Sequence, residues 1–186
     1  MYSIHMNEIT QFKEIERKFL PRNVPFDLAQ LPSVRCERYY LHSDGQSELR
    51  VQKKDDHFEL EHKTQALESL LMRDSLKIKI PLSEWEALEG KKNGQAIIFN
   101  KYRLPFEGMS IKKYEGPLAG LLILECEFDT LDQASSFYPE EWMGEEISSL
   151  GFSRDSGLIN YSSFSEFKQF LDSELRSLRL RSDSNL

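Results

Sequence analysis

Between residues 12 and 128 the chain alternates apolar and polar positions with a period of two, in about eight short runs broken by turn-forming residues. The runs cover residues 11–20, 36–42, 48–54, 57–64, 71–80, 96–104, 109–114 and 121–128. Asp44-Gly45, Asp55-Asp56, Glu107-Gly108 and Gly116-Pro117 with Gly120 lie between them, residues that favour turn geometry. The pattern predicts an antiparallel sheet or barrel. Three strings predict helix starts by reciprocal side-chain capping. Ser83-Glu84-Trp85-Glu86 opens a short helix to about Glu89, which Gly90 ends. Thr130-Leu131-Asp132-Gln133 opens a second through about Phe137, and Ser163-Phe164-Ser165-Glu166 opens a third. Beyond that last string Phe164, Phe167, Leu171, Leu175 and Leu178 recur every three or four residues, which predicts a long amphipathic helix packed on the body of the protein. Residues 181–186 read as a frayed tail.

Because residues i and i+2 of a strand point the same way, the alternation sorts the charges. Glu14, Glu16 and Lys18 oppose Ile15 and Phe19, and Arg50 and Gln52 oppose Leu49 and Val51. Glu59, Glu61 and Lys63 oppose Phe58 and Leu60. Arg73, Ser75, Lys77 and Lys79 oppose Met72, Leu76, Ile78 and Ile80. Lys101 and Arg103 oppose Tyr102 and Leu104, while Glu125 and Glu127 oppose Leu124, Cys126 and Phe128. Two pictures fit. A sheet with one wet face carries mixed charge in this manner. Alternatively the sheet closes with its charged face inward, giving a polar tunnel, with the helices carrying Trp85, Phe137 and the Phe164 stripe covering the outside. Paired carboxylates repel each other, and a hard divalent cation relieves that repulsion. Glu14/Glu16 and Glu125/Glu127 are therefore candidate metal ligands. Lys18, Arg50, Lys63, Arg73, Lys101 and Arg103 are candidate contacts for an anion beside the metal.

Composition narrows the classes. The 186 residues carry 30% charged and 39% hydrophobic side chains, a globular balance. A chain of this length buries roughly 70% of its unfolded surface, so its core needs no disulfide or structural zinc. A net charge of −7 speaks against general nucleic-acid or anionic-membrane binding, though it permits a locally basic pocket. The longest apolar run, residues 118–124, is far too short to span a bilayer, and residues 1–7 lack the pattern of a secretory signal. Cys36 and Cys126 form no CxxC, and His5, His42, His57 and His62 form no HExxH; a reducing cytoplasm is the expected setting.

Glu14-Ile15-Glu16-Arg17-Lys18-Phe19-Leu20 resembles the ExExK opening of the CYTH, or triphosphate tunnel metalloenzyme, family. The likeness continues in order through Arg38-Tyr39-Tyr40, Glu48-Leu49-Arg50-Val51, Lys63, Arg73, Lys101-Tyr102-Arg103 and Gly116 through Gly120-Leu121. It then takes in Leu124-Glu125-Cys126-Glu127-Phe128 and Trp142-Met143-Gly144-Glu145-Glu146-Ile147. The resemblance implies a mainly β, α+β fold: a closed eight-stranded antiparallel barrel with a charged lumen. Its domain would occupy residues 1–162, with a C-terminal amphipathic helix and tail at 163–186. It further implies a triphosphate-containing small molecule as partner and Mg²⁺ or Mn²⁺ as cofactor. Glu14, Glu16, Glu125 and Glu127 would hold metal, and Lys18, Arg50, Lys63, Arg73, Lys101 and Arg103 would clamp phosphates. Lys18 and the four glutamates would make up the catalytic set.

The sequence also departs from the family pattern. Gln52 stands where the family usually has Arg, Ser75 and Lys77 where it has acids, and Lys112 where Asp is common; Glu59 and Glu61 could supply carboxylates in their place. The leading expectation is metal-dependent hydrolysis of a terminal phosphoanhydride. The alternatives are a degenerate triphosphate- or nucleotide-binding domain and cyclisation of ATP by a class IV adenylate cyclase. Assembly state, a homodimer included, stays open.

Overall fold

A computed structural model describes residues 9–183, with side chains through residue 177. Eight antiparallel strands close on themselves: β1 (Ile9–Leu20), β2 (Ser33–Ser43), β3 (Ser47–Lys54), β4 (His57–Gln65), β5 (Met72–Lys79), β6 (Ile97–Arg103), β7 (Met109–Tyr114) and β8 (Leu122–Phe128). Their order round the barrel is β5-β4-β3-β2-β6-β7-β8-β1, and β1 pairs back onto β5. The long first strand makes the closure. Its first half pairs with β5, from Ile9 opposite Ile78 to Ile15 opposite Met72, and its second half pairs with β8, from Ile15 opposite Phe128 to Phe19 opposite Leu124. The two-residue β9 (Glu145–Glu146) pairs with the last residues of β1.

Closure removes the sheet edges, and the helices and loops cover the oily outer face. Helix α1 (Leu82–Glu89) lays Trp85 against Tyr39 and Phe58, with ring centroids 5.1 and 5.6 Å away. Helix α2 (Leu131–Ser136) buries Ala134 beside Ile15 and Met72. Residues of the loop after β1 and of the 137–143 stretch pack on Phe19, Ile111, Leu124 and Cys126. The left-handed Gly144 is obligatory there, since a Cβ would meet the Leu20 carbonyl oxygen at 2.0 Å.

Capping followed the sequence at two of the three helices. Thr130 accepts from the Gln133 amide. Ser163 accepts from the Glu166 amide, while Glu166 returns to Ser162. At α1 the expected Ser83 cap is absent: the cap lies two residues earlier, and the carbonyl of Pro81 accepts from Glu84 and Trp85. Pro81 takes the N-cap position in extended conformation, so Ser83 falls inside the first turn. Helix α3 (Phe164–Asp183) extends through residues 181–183 of the expected frayed tail; residues 184–186, the Leu178 side chain and residues 1–7 with His5 lie outside the described ones. His42, His57 and His62 are all exposed.

The interior departs from a uniformly polar tunnel. On the alternation that turns Lys101 inward, Phe99 and Ile97 turn inward too. The same holds for Tyr114 beside Lys112 and for Ile123 beside Glu125. These residues form one buried apolar cluster with Tyr40, Phe152, Leu158, Phe167 and Leu171. Helix α3 thus joins its stripe to apolar residues filling one end of the barrel, rather than lying on the outer wall. Phe152 meets Phe167 at 5.3 Å. We expect Phe167→Ala to lower the unfolding free energy by about 3–5 kcal/mol in urea denaturation. Truncation of Tyr138, which is 91% exposed, should change it by no more than about 0.5 kcal/mol.

Candidate functional site

The charged remainder of the lumen is a cavity of about 140 Å³. Among the described residues its wall carries ten bases and six carboxylates, an excess of four positive charges inside a chain whose net charge is −7. Of the residues singled out from sequence, Glu14, Glu16, Lys18, Arg50, Lys63, Arg73, Lys101, Glu125 and Glu127 all line it. Arg103 does not; it lies exposed at the end of β6, in a neighbouring cavity at the barrel mouth.

Burial forces these charges to neutralise one another. Arg73 Nη2 contacts Glu14 at 2.9 Å and Glu16 at 2.7 Å. Lys18 Nζ lies 3.0 Å from Glu16 and 3.4 Å from Glu125. Lys101 Nζ lies 3.2 Å from Glu125 and 3.0 Å from Glu127. The result is an alternating row across β1 and β8 in which a cation occupies every gap between successive carboxylates. Opposite it, Glu61 accepts two bonds from Arg50, at 2.9 and 2.6 Å, and further ones from Gln52 and Ser75. Gln52 also accepts from Arg38 at 2.9 Å, so the residue in the usual arginine position links two guanidinium groups through Glu61. Glu59 is held by Gln52 and Lys54.

Among the lumen residues not assigned a role from sequence are Arg38, Lys112, Arg154 and Asp155. Four consecutive residues after the barrel cross its apolar end, and each bonds to a different part of the wall. The Ser153 carbonyl accepts from Lys18 at 2.9 Å. Arg154 donates to Gln65 and to the Gly45 carbonyl. Asp155, 3% exposed, accepts from Arg38, from Lys112 at 3.1 Å and from Tyr114 at 2.6 Å. Ser156 donates to Glu48, whose carboxylate also takes Arg73 at 3.2 Å. The lumen is therefore closed at this end and open at the other.

The electrostatic consequences follow from crowding. Burial pushes the carboxylates up, yet Lys63 and Arg73 hold Glu14 far below the usual range. Lys112, Lys101 and Lys18 do the same for Glu125, and Lys112 and Arg38 for Asp155. Among the cations burial lowers Lys112, and it lowers Lys63. Burial, aided by Arg73 and Arg50, outweighs the pull of Glu14 and Glu61 and brings it down to about 8. Among the described residues no three His, Cys, Asp or Glu side chains converge as a self-sufficient metal cage would require. The wall is suited to a compact polyanion that shares its cations.

No protein-family model matches the chain. A curated inorganic triphosphatase of Nitrosomonas europaea is 30% identical over 138 residues, covering 72% of this chain and 88% of that protein. The crystal structure of an inorganic triphosphatase matches with a TM-score of 0.56 at 27% identity, covering 78% of this chain and 93% of that one. No helix among the described residues is long and apolar enough to cross a membrane.

Breaking the row at its most connected carboxylate should be costly. We expect Glu125→Gln, which leaves Lys112 and Lys18 with one partner fewer inside the barrel, to destabilise the fold by about 3–5 kcal/mol. The depressed carboxylates contribute stability that is fully present above their unfolded pKa of about 4 and lost as pH falls below it. Urea midpoints should hold between pH 7 and 5 and drop steeply below 4, with a shallower drop in Glu125→Gln.

Proposed function

This chain belongs to the inorganic triphosphatase family, and on that premise we propose that it hydrolyses the terminal phosphoanhydride of a triphosphate inside the lumen, in the manner of a CYTH-type tunnel enzyme. The observation that carries this reading is the enclosed excess of four positive charges beside paired carboxylates in a chain that is acidic overall. A triphosphate matches that excess, and a mixed wall suits a substrate that brings its own cation.

The donor set fits Mg²⁺ or Mn²⁺ arriving with the substrate. Hard ions of this kind use one or two carboxylates together with phosphate oxygens and water, not a full protein cage. Glu14, Glu16, Glu125 and Glu127 are oxygen donors of the right type, and Glu14 and Glu16 already converge on one guanidinium nitrogen. Held there, the ion would neutralise phosphate oxygens and favour attack by water. Lys18, Arg73 and Lys101 would exchange their carboxylate partners for phosphate oxygens, and Lys63 would join them. Arg50 and Arg38, pinned by Glu61 and Asp155, keep their places and shape the deep end of the pocket. In-line attack of water on the terminal phosphorus forms one P–O bond as the bridging P–O bond breaks. Diphosphate leaves carrying the bond electrons, and the water proton passes to phosphate or solvent. Positioning and charge neutralisation account for the rate. A second reading, triphosphate binding without turnover, is favoured by the protein cations that already fill the gaps in the carboxylate row.

Phosphate release from tripolyphosphate, assayed with Mg²⁺ and Mn²⁺, separates the two readings. We expect release that falls at least about a hundredfold in Arg73→Ala, the loss of one charged transition-state contact. Release no greater than that of a Glu14→Ala/Glu16→Ala double variant would reject hydrolysis. Bound anion favours the charged form of Lys63, so affinity should decline as pH rises through about 8. Lys63→Arg should move that decline to higher pH, and an unmoved titration would remove Lys63 from the anion site.

A further inference from the structure

Strand β1 parts from β5 before it reaches the closed end of the barrel. Their register ends at Ile15 opposite Met72, and β9 joins the same edge of β1 only at Phe19. Between these points the edge is satisfied from elsewhere. The Glu16 amide donates to the Leu71 carbonyl at 3.0 Å, and the Lys18 amide donates to Ser148 Oγ at 2.9 Å. The wall therefore has a seam here, bordered by the β4–β5 turn on one side and by the stretch after β9 on the other.

A cavity of about 20 Å³ lies in this seam. Glu16, Lys18, Arg73 and Arg154 line both it and the lumen, so the two adjoin across these side chains. Ser148 and Ser153 add to its polar wall, and Leu70, 71% exposed, marks where it reaches the surface. A volume of roughly 10–15 Å³ seats one water molecule, which also needs two to four polar partners. The seam meets both conditions for water and is too small for a phosphate.

We propose that this cavity is the port through which the attacking water reaches the terminal phosphate. The proposal deepens the hydrolytic reading above and rests on it. Residues 153–156 close the far end of the lumen to the substrate, so a triphosphate enters by the mouth and lies with one terminal phosphate innermost. In-line attack requires water on the side of that phosphorus opposite the bridging oxygen, which is the deep side. A substrate filling a lumen of about 140 Å³ blocks the mouth behind it, so water for the innermost phosphate needs another route. The seam supplies one at the depth of Glu16, Lys18 and Arg73. There the water oxygen bonds to the terminal phosphorus as the bridging P–O bond breaks. Diphosphate takes the bond electrons, and the water proton passes to phosphate or out along the seam to solvent.

The test narrows the port without removing a charge. Ser153→Val and Ser148→Thr each enlarge a side chain on its wall, and the threonine keeps the hydroxyl that Lys18 uses. Hydrolysis of tripolyphosphate with Mg²⁺ gives kcat, and titration calorimetry with the methylene-bridged analogue of tripolyphosphate gives affinity. Each variant should lower kcat at least about tenfold, because the attacking oxygen loses its place in line. Each should keep the Kd of the analogue within about twofold of the parent protein, since ground-state contacts are untouched. A crystal structure of the parent protein with the analogue bound should show an ordered water in the seam, in line with the terminal P–C bond; it tests the port even where a variant fails to fold. Unchanged kcat in both folded variants, a loss of kcat matched by an equal loss of affinity, or an in-line water on the mouth side of the phosphate overturns the port and leaves the lumen as the site of hydrolysis. Absence of hydrolysis by the parent protein overturns the hydrolytic reading and the port together.

Discussion

Charge facing inward is the constraint on which this barrel is built. A buried cation or carboxylate is costly unless it has a partner. Here most are partnered across the lumen by a residue from another strand, and Arg38 by Asp155 from the segment after the barrel. Glu14 and Glu16 on β1 need Arg73 on β5, and Glu125 on β8 needs Lys112 on β7 and Lys101 on β6. The strands cannot open without separating these partners, so closure of the sheet and neutralisation of its interior are one event. The apolar residues, excluded from most of the lumen, find their core outside, under α1, α2 and the loops.

The same constraint explains the polarity of the pore. Where inward positions become apolar, at Ile97, Phe99, Tyr114 and Ile123, the lumen ends and α3 takes part in the seal. Where they stay charged, the lumen opens. Arg38 and Lys112 stand at the boundary, both against the Phe99 ring, at 4.7 and 4.8 Å from its centroid. Asp155 meets both there, and its carboxylate turns two like charges into a fixed pair.

Much of this was legible in the alternation, because a period of two assigns each side chain to a face regardless of what the rest of the chain does. It placed Glu16, Lys63 and Arg73 on one face, and closure then turned that face inward. Arg103 is the instructive exception: it shares the inward parity of Lys101 but comes at the end of β6, beyond the enclosed part of the barrel. Parity fixes direction, not depth. Arg38 and Lys112 escaped for the converse reason. Their inward neighbours Cys36, Tyr40 and Tyr114 are not charged, so neither strand displayed a charged face. Asp155 and Arg154 had no signal at all. They lie in irregular structure after the barrel, where no periodicity connects a residue to the wall it reaches. The helix-capping strings succeeded where a serine or threonine preceded the first turn and failed at α1, where Pro81 took that place.

The segment 153–156 has a consequence for how the molecule comes into being. Strand β1 is synthesised before its partners β5 and β8, which end near residues 79 and 128. Asp155, the counter-ion of Arg38 and Lys112, is made later still. Until then Lys112 has Glu125 on β8 for a partner, but Arg38 has no carboxylate against it. Arg38 thereby lacks its carboxylate partner until residue 155 has been made. A product truncated before residue 153 would have all eight strands of the barrel yet lack the carboxylate that lies between Arg38 and Lys112.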